Sequence, residues 1–128
     1  ARRQRQMCIR DRYGEMGVGK STFVKYFINK FYIDEDSELT EVTSPTFNLL
    51  NEYETKNFVI KHYDLFRIKN NLEIKNLNIF EENKKIITLV EWPELIENYK
   101  KVKIVNLFFT YENELKNRIV KIKGLNLI

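Results

Sequence analysis

Aromatic side chains recur at every fourth position through Phe23, Phe27 and Phe31, with Val24 and Ile28 beside them, which predicts a helix over residues 20–32 with one apolar face. Beyond it the period changes. Residues 34–41 are acidic and read as a solvated loop, and residues 47–53 and 58–63 are two β-rich runs separated by Glu54-Thr55-Lys56-Asn57, the pattern of a hairpin. A second helix is expected over residues 72–80, although Leu72, Lys75, Asn76 and Ile79 space its apolar face poorly. Residues 86–90, Ile-Ile-Thr-Leu-Val, form a short continuous apolar run suited to a strand buried on both faces. A short helix over 95–100 and a closing antiparallel pair, 102–111 with 118–123 around Glu112-Asn113-Glu114, complete the pattern. Strands alternating with helices imply an α/β fold, a single mixed sheet flanked by helices.

Composition changes this picture at one end. The 128 residues suit one domain, and 22 Lys+Arg against 18 Asp+Glu give a formal charge of +4, which at face value favours nucleic acid or an anionic surface. The first twelve residues, however, hold five Arg and one Asp, and without them the two signs balance. They also hold both Gln and the single Ala and Cys, while the rest of the chain uses Lys in place of Arg except at Arg67 and Arg118. Arg2 to Arg12 back-translates cleanly into the codons of a transposase adapter used in sequencing-library preparation. Residues 1–12 are therefore expected to be non-native, residues 13–128 to be the domain proper, and the native N-terminus to lie further upstream.

Several classes are excluded. No apolar run approaches the roughly 20 residues that cross a bilayer, so no membrane association is expected. The N-terminal residues do not resemble a signal peptide, and the chain reads as cytoplasmic. One cysteine permits no internal disulfide or zinc cluster. His62, the only histidine, leaves little material for a Ser-His-Asp triad and, alternating in a strand, reads as structural.

The sharpest chemical signal is Gly14-Glu15-Met16-Gly17-Val18-Gly19-Lys20-Ser21, which fits G-x-x-x-x-G-K-[ST] without a mismatch. Glycines let successive N–H groups turn toward phosphate oxygens, and the helix that follows presents its positive end to the same anion. Lys20 would then bridge the β- and γ-phosphates and the Ser21 hydroxyl would ligate Mg²⁺. The plainer alternative is a Gly-rich turn capping an amphipathic helix. Acids that could complete a metal site stand at two strand ends, Asp64 after residues 58–63 and Glu91 after 86–90. Ligands gather beyond the carboxyl ends of parallel strands, where Asp64 could hold Mg²⁺ and Glu91 could orient a water; taken alone, such acids are more often helix caps. Thr43-Ser44-Pro45-Thr46-Phe47 lies where a loop sensing the γ-phosphate would sit, though the same residues make ordinary turns. Trp92 could stack on a base, dock a partner or pack at the rim.

In order along the chain these motifs are G-E-M-G-V-G-K-S-T, S-P-T-F, H-Y-D-L-F-R and E-W-P. The series resembles the TsaE (YjeE) family of small bacterial P-loop ATPases of tRNA threonylcarbamoyladenosine synthesis, over residues 14 to about 124. The resemblance implies a P-loop NTPase fold, ATP and Mg²⁺ as cofactors, and partner-stimulated ATP hydrolysis. The partners it implies are TsaB and TsaD homologues, which transfer the threonylcarbamoyl group to tRNA, so that tRNA is met only through the complex. By position, nucleotide binding falls to Gly14, Glu15, Met16, Gly17, Val18, Gly19, Lys20, Ser21, Thr22, Thr46 and Trp92. Lys20, Asp64 and Glu91 are the catalytic candidates, and Ser21, Asp64 and Glu91 the metal candidates.

One departure from the family pattern is large. A P-loop is fed by a buried hydrophobic strand, yet Ile9-Arg10-Asp11-Arg12-Tyr13 puts three charges in five positions. The feeding strand, with a strand-helix unit before it, is therefore expected to be missing, and the chain as given to bind ATP weakly. Two other functions share part of the pattern. A small-molecule P-loop kinase should add an Arg-rich lid, for which only Arg67 and Arg118 remain. A nucleotide-binding assembly factor without significant hydrolysis differs only in lacking turnover.

Overall fold

The computed structural model describes residues 6–11, 20–45, 48–79, 85–96, 104–112 and 117–123. The two β-rich runs form β2 (Leu50–Glu54) and β3 (Val59–Asp64), paired antiparallel as the hairpin pattern requires. The continuous apolar run forms β4 (Ile86–Glu91), in which Ile87, Thr88, Leu89 and Val90 are all buried, as expected of a strand covered on both faces. Strands β5 (Ile104–Glu112) and β6 (Asn117–Lys123) are the closing antiparallel pair.

The expectation of a missing feeding strand is corrected. Gln6–Asp11 forms β1, which lies between β4 and β5 and runs parallel to both, so that the sheet order is β2-β3-β4-β1-β5-β6. Strand pairing uses backbone N–H and C=O groups that almost any residue supplies, and an empty slot here would leave two unpaired edges inside the sheet. The register also moderates the charge problem. Pairing with β4 ends at Ile9, opposite Glu91, so Arg10 and Asp11 pair with β5 alone at the carboxyl end of the strand.

One face of the sheet carries Ile60, Ile87, Leu89, Val105, Leu107 and Phe109 and is covered by helix α1 (Lys20–Asp34), whose Val24 and Ile28 are fully buried against it. The fourth-position aromatics extend that packing edgewise. Phe23 meets Phe109 at 5.6 Å between ring centroids, Phe27 lies 5.7 Å from Phe23 and 5.4 Å from Phe31, and Phe31 lies 5.4 Å from Phe58. On the other face Tyr63, Leu65 and Val90 pack with Ile74, Ile79 and Ile96, contributed by α2 (Asn71–Asn76), the turn after it, and a 3-10 turn over Pro93–Ile96. Burial on both faces makes the alternation strict: successive residues of β3 and β4 serve opposite cores.

Three elements are shorter than the sequence suggests. Helix α2 starts with Asn70 capping the Glu73 N–H and ends where the Leu77 N–H turns back to Ile74 and Lys75 and Asn78 takes φ 52°, so the expected 72–80 span is cut at Asn76. Phe80 lies outside the described residues. β2 begins only at Leu50 because Asn48 and Leu49 both donate to the Pro45 carbonyl, a turn that places Leu49 at φ 65°. The expected helix over 95–100 is a 3-10 turn beginning at Pro93; residues 97–100 lie outside the described residues.

The loop after α1 is fastened rather than merely solvated. The Glu35 carboxylate accepts from Thr55 Oγ1 at 3.1 Å and from the Lys56 and Asn57 N–H groups, each at 2.9 Å. Tyr32 donates its hydroxyl to the Glu54 carbonyl at 2.8 Å. Asn29 and Thr40 are joined in both directions, at 2.8 and 3.2 Å. The C-terminal end of α1 is thereby tied to the β2–β3 turn.

Candidate functional site

Since β1, β3 and β4 run parallel and α1 returns over them, the carboxyl ends of the strands and the N-terminal end of α1 lie at the same edge of the sheet. Residues 12–19 join the end of β1 to Lys20 there. Of the expected phosphate loop, Gly14, Glu15, Met16, Gly17, Val18 and Gly19 lie outside the described residues, as does Thr46. Lys20, Ser21 and Thr22 form the first turn of α1, which has no acidic residue to compete for its N–H groups. Lys20 is buried and Ser21 and Thr22 are exposed.

The two acids are neighbours. Asp64 ends β3, Glu91 ends β4, and they are direct register partners. The Leu65 N–H donates to the Glu91 carbonyl at 3.0 Å and carries the parallel pairing one step past both. Each is nearly enclosed, 4 % exposed at Asp64 and 8 % at Glu91, which is uncommon for carboxylates unless they are paired. Asp64 accepts the Phe66 N–H on Oδ1 at 2.9 Å, a local turn that orients its carboxylate. Its own N–H donates to the Leu49 carbonyl at 3.0 Å, linking β3 to the turn after Pro45.

Trp92 follows Glu91 with φ 57°, a left-handed conformation that is costly for a residue with a Cβ and is typical of functional turns. Its ring lies 4.9 Å from that of Phe66, and Lys20 Nζ stands 5.1 Å from its centroid. Lys20, Trp92 and Phe66 thus form one aromatic-capped corner, with Glu91 adjacent in sequence to Trp92 and Asp64 two residues before Phe66. Ser44 is exposed, in a stretch where Asn51 Nδ2 donates to the Thr43 carbonyl at 3.1 Å.

His62, read as structural, has a partner at the strand end. It is 2 % exposed, and its Nε2 lies 2.8 Å from Glu91 Oε2. The signal for this was in the strand period: His62 and Asp64 are two apart, so both side chains share the α1 face with Glu91. Among the described residues no group of three or more His, Cys, Asp or Glu could hold a metal by itself, and no helix is long and apolar enough to cross a membrane.

This geometry defines the class: a mixed α/β protein with a largely parallel sheet and buried acids at the carboxyl ends of adjacent strands. The crystal structure of Bacillus subtilis YdiB has a similar fold, with a TM-score of 0.63 at 20 % identity over 93 % of this chain and 68 % of that one. A family model described as "Threonylcarbamoyl adenosine biosynthesis protein TsaE" matches residues 5–120, and the chain belongs to the TsaE family. Among its relatives, the tRNA threonylcarbamoyladenosine biosynthesis protein TsaE of Rickettsia felis is 42 % identical over 85 residues, 66 % of this chain and 47 % of the relative. That of Aquifex aeolicus is 34 % identical over 111 residues, 77 % of this chain and 74 % of the relative. The chain spans about half the length of the Rickettsia relatives it matches.

Proposed function

We propose that the chain is a Mg-ATP-binding P-loop ATPase that supports threonylcarbamoyladenosine modification of tRNA together with TsaB and TsaD homologues. The observation that carries this reading is the register pairing of buried Asp64 and Glu91 at the edge where Lys20 opens α1. Directly before Lys20 stands the glycine-rich series of residues 14–19, and the family relationship supplies the biological setting.

In this reading the first turn of α1 and the Lys20 ammonium bind the phosphates, and Trp92 and Phe66 border the nucleotide. The donor set fits Mg²⁺: hard oxygens from Ser21, Asp64 and Glu91 are too few to enclose an ion, and Mg²⁺ usually takes one or two carboxylates and completes its shell with phosphate and water. When bound, the ion neutralises phosphate charge. Asp64, oriented by the Phe66 N–H, would help hold the ion, and Glu91 would orient the attacking water.

Phosphate release from Mg-ATP, measured with and without TsaB and TsaD homologues, tests the reading. Stimulation by the partners is expected, together with loss of turnover in Lys20→Ala and Glu91→Ala. Equal rates with and without partners, with Glu91→Ala unchanged, overturn it.

A further inference from the structure

We propose that His62 is a positioning residue for Glu91, its Nε2–H fixing the rotation of the carboxylate that orients the attacking water; the proposal rests on the reading of Glu91 given above. A carboxylate only accepts, so the 2.8 Å contact places the hydrogen on Nε2. The last torsion of a glutamate side chain is soft and broad, and a single donor held rigidly in the sheet removes that freedom at Glu91. His62 is well held: it is 2 % exposed, lies between Asn51 on β2 and Leu89 on β4 in register, and has the apolar core of the α1 face on the carboxyl-distal side.

A purely structural role fits less well. A buried polar ring in an apolar cluster is costly unless its polar atoms are satisfied, and an aliphatic side chain would fill the same place without that cost. His62 satisfies only one nitrogen; Nδ1 is buried without a hydrogen-bond partner among the described residues. A histidine retained to knit two segments together would use both nitrogens. Among the described residues this one bonds only Glu91, and the Phe66 N–H bonds Asp64, so each acid has an orienting donor.

Two substitutions separate positioning from packing, because a Gln amide nitrogen lies near the place of Nε2 whereas an Asn amide nitrogen lies near that of Nδ1. Steady-state ATP hydrolysis by the full chain with its partners is measured for wild type, His62→Ala, His62→Asn, His62→Gln and Glu91→Gln. Ala and Asn are expected to lower kcat about 10- to 100-fold, the usual range for an orienting outer partner, with KM for ATP within about 2-fold of wild type, and Gln to recover most of kcat. An independent readout needs no variant. With only one histidine in the chain, long-range proton–nitrogen correlation gives one imidazole pattern, expected to be that of the Nε2–H tautomer. The Nδ1–H pattern, unchanged kcat in Asn, or an equal fall in Asn and Gln overturns the proposal. If Glu91→Gln abolishes turnover and His62→Asn does not, His62 alone is misassigned; if Glu91→Gln turns over normally, the reading of Glu91 itself fails.

Discussion

Helix α1 ends in two different kinds of carboxylate environment. At its N-terminal end the acids at the same sheet edge as Lys20 are buried: Glu91 meets His62, and Asp64 takes the Phe66 N–H. At its C-terminal end Glu35 is near the surface yet takes three donors from the β2–β3 turn. Burying a carboxylate is expensive unless it is paired, whereas bonding one near water joins two segments at little cost. The helix thus has one end beside buried acids, which the proposed function makes the binding end, and one that anchors.

The sharpest way to break the comparison is at the binding end. Glu91→Gln removes charge but little volume, and is expected to lower kcat for ATP hydrolysis about 100- to 1,000-fold, as followed by phosphate release. Next in size is the middle of the helix. Ile28 is fully buried, so Ile28→Ala should cost about 2–5 kcal/mol in urea unfolding and weaken both ends together. A finer test uses backbone strain. With Trp92 at φ 57°, Trp92→Gly should be more stable than Trp92→Ala by about 1 kcal/mol, and equal midpoints would remove the strain from consideration.

The smallest effect belongs to the anchoring end and depends on pH. Burial raises the Glu35 carboxyl, but the Lys56 and Asn57 N–H groups and the Thr55 hydroxyl outweigh it and hold the group below its ordinary 4.5. A depressed folded value means stabilisation that is complete above the unfolded value and fades as pH falls through the folded one. Wild type should therefore melt slightly above Glu35→Gln near neutral pH, and the gap should shrink as the pH falls below the ordinary 4.5 and through the lower folded value. A gap that persists in acid would show that the anchor does not depend on charge.

Much of this was legible in the chain itself. The fourth-position aromatics specified α1 and the run Ile86 to Val90 specified a doubly buried strand, because each period matches one burial geometry. Asp64 and Glu91 were locatable for the same reason, as the first acids after strand patterns. What escaped was of three physical kinds. β1 carries no apolar period, and its place is fixed by backbone pairing with strands far along the chain. The His62–Glu91 contact joins neighbouring strands, so no local spacing announces it. Left-handed residues such as Leu49, Asn78 and Trp92 end or redirect elements, and only Asn is a usual choice there.

The position of β1 also bears on how the chain acquires its structure. Its partners on either side, beginning at Thr88 and Ile104, leave the ribosome well after β1 itself. β1 must therefore wait, unpaired, for strands far along the chain, and the loop closures needed to seat it are the longest among the described strands. Such topology slows folding and prolongs the exposure of the β4 and β5 edges to other chains. Refolding yield should accordingly fall with protein concentration, with assembly of the central strands as the vulnerable step.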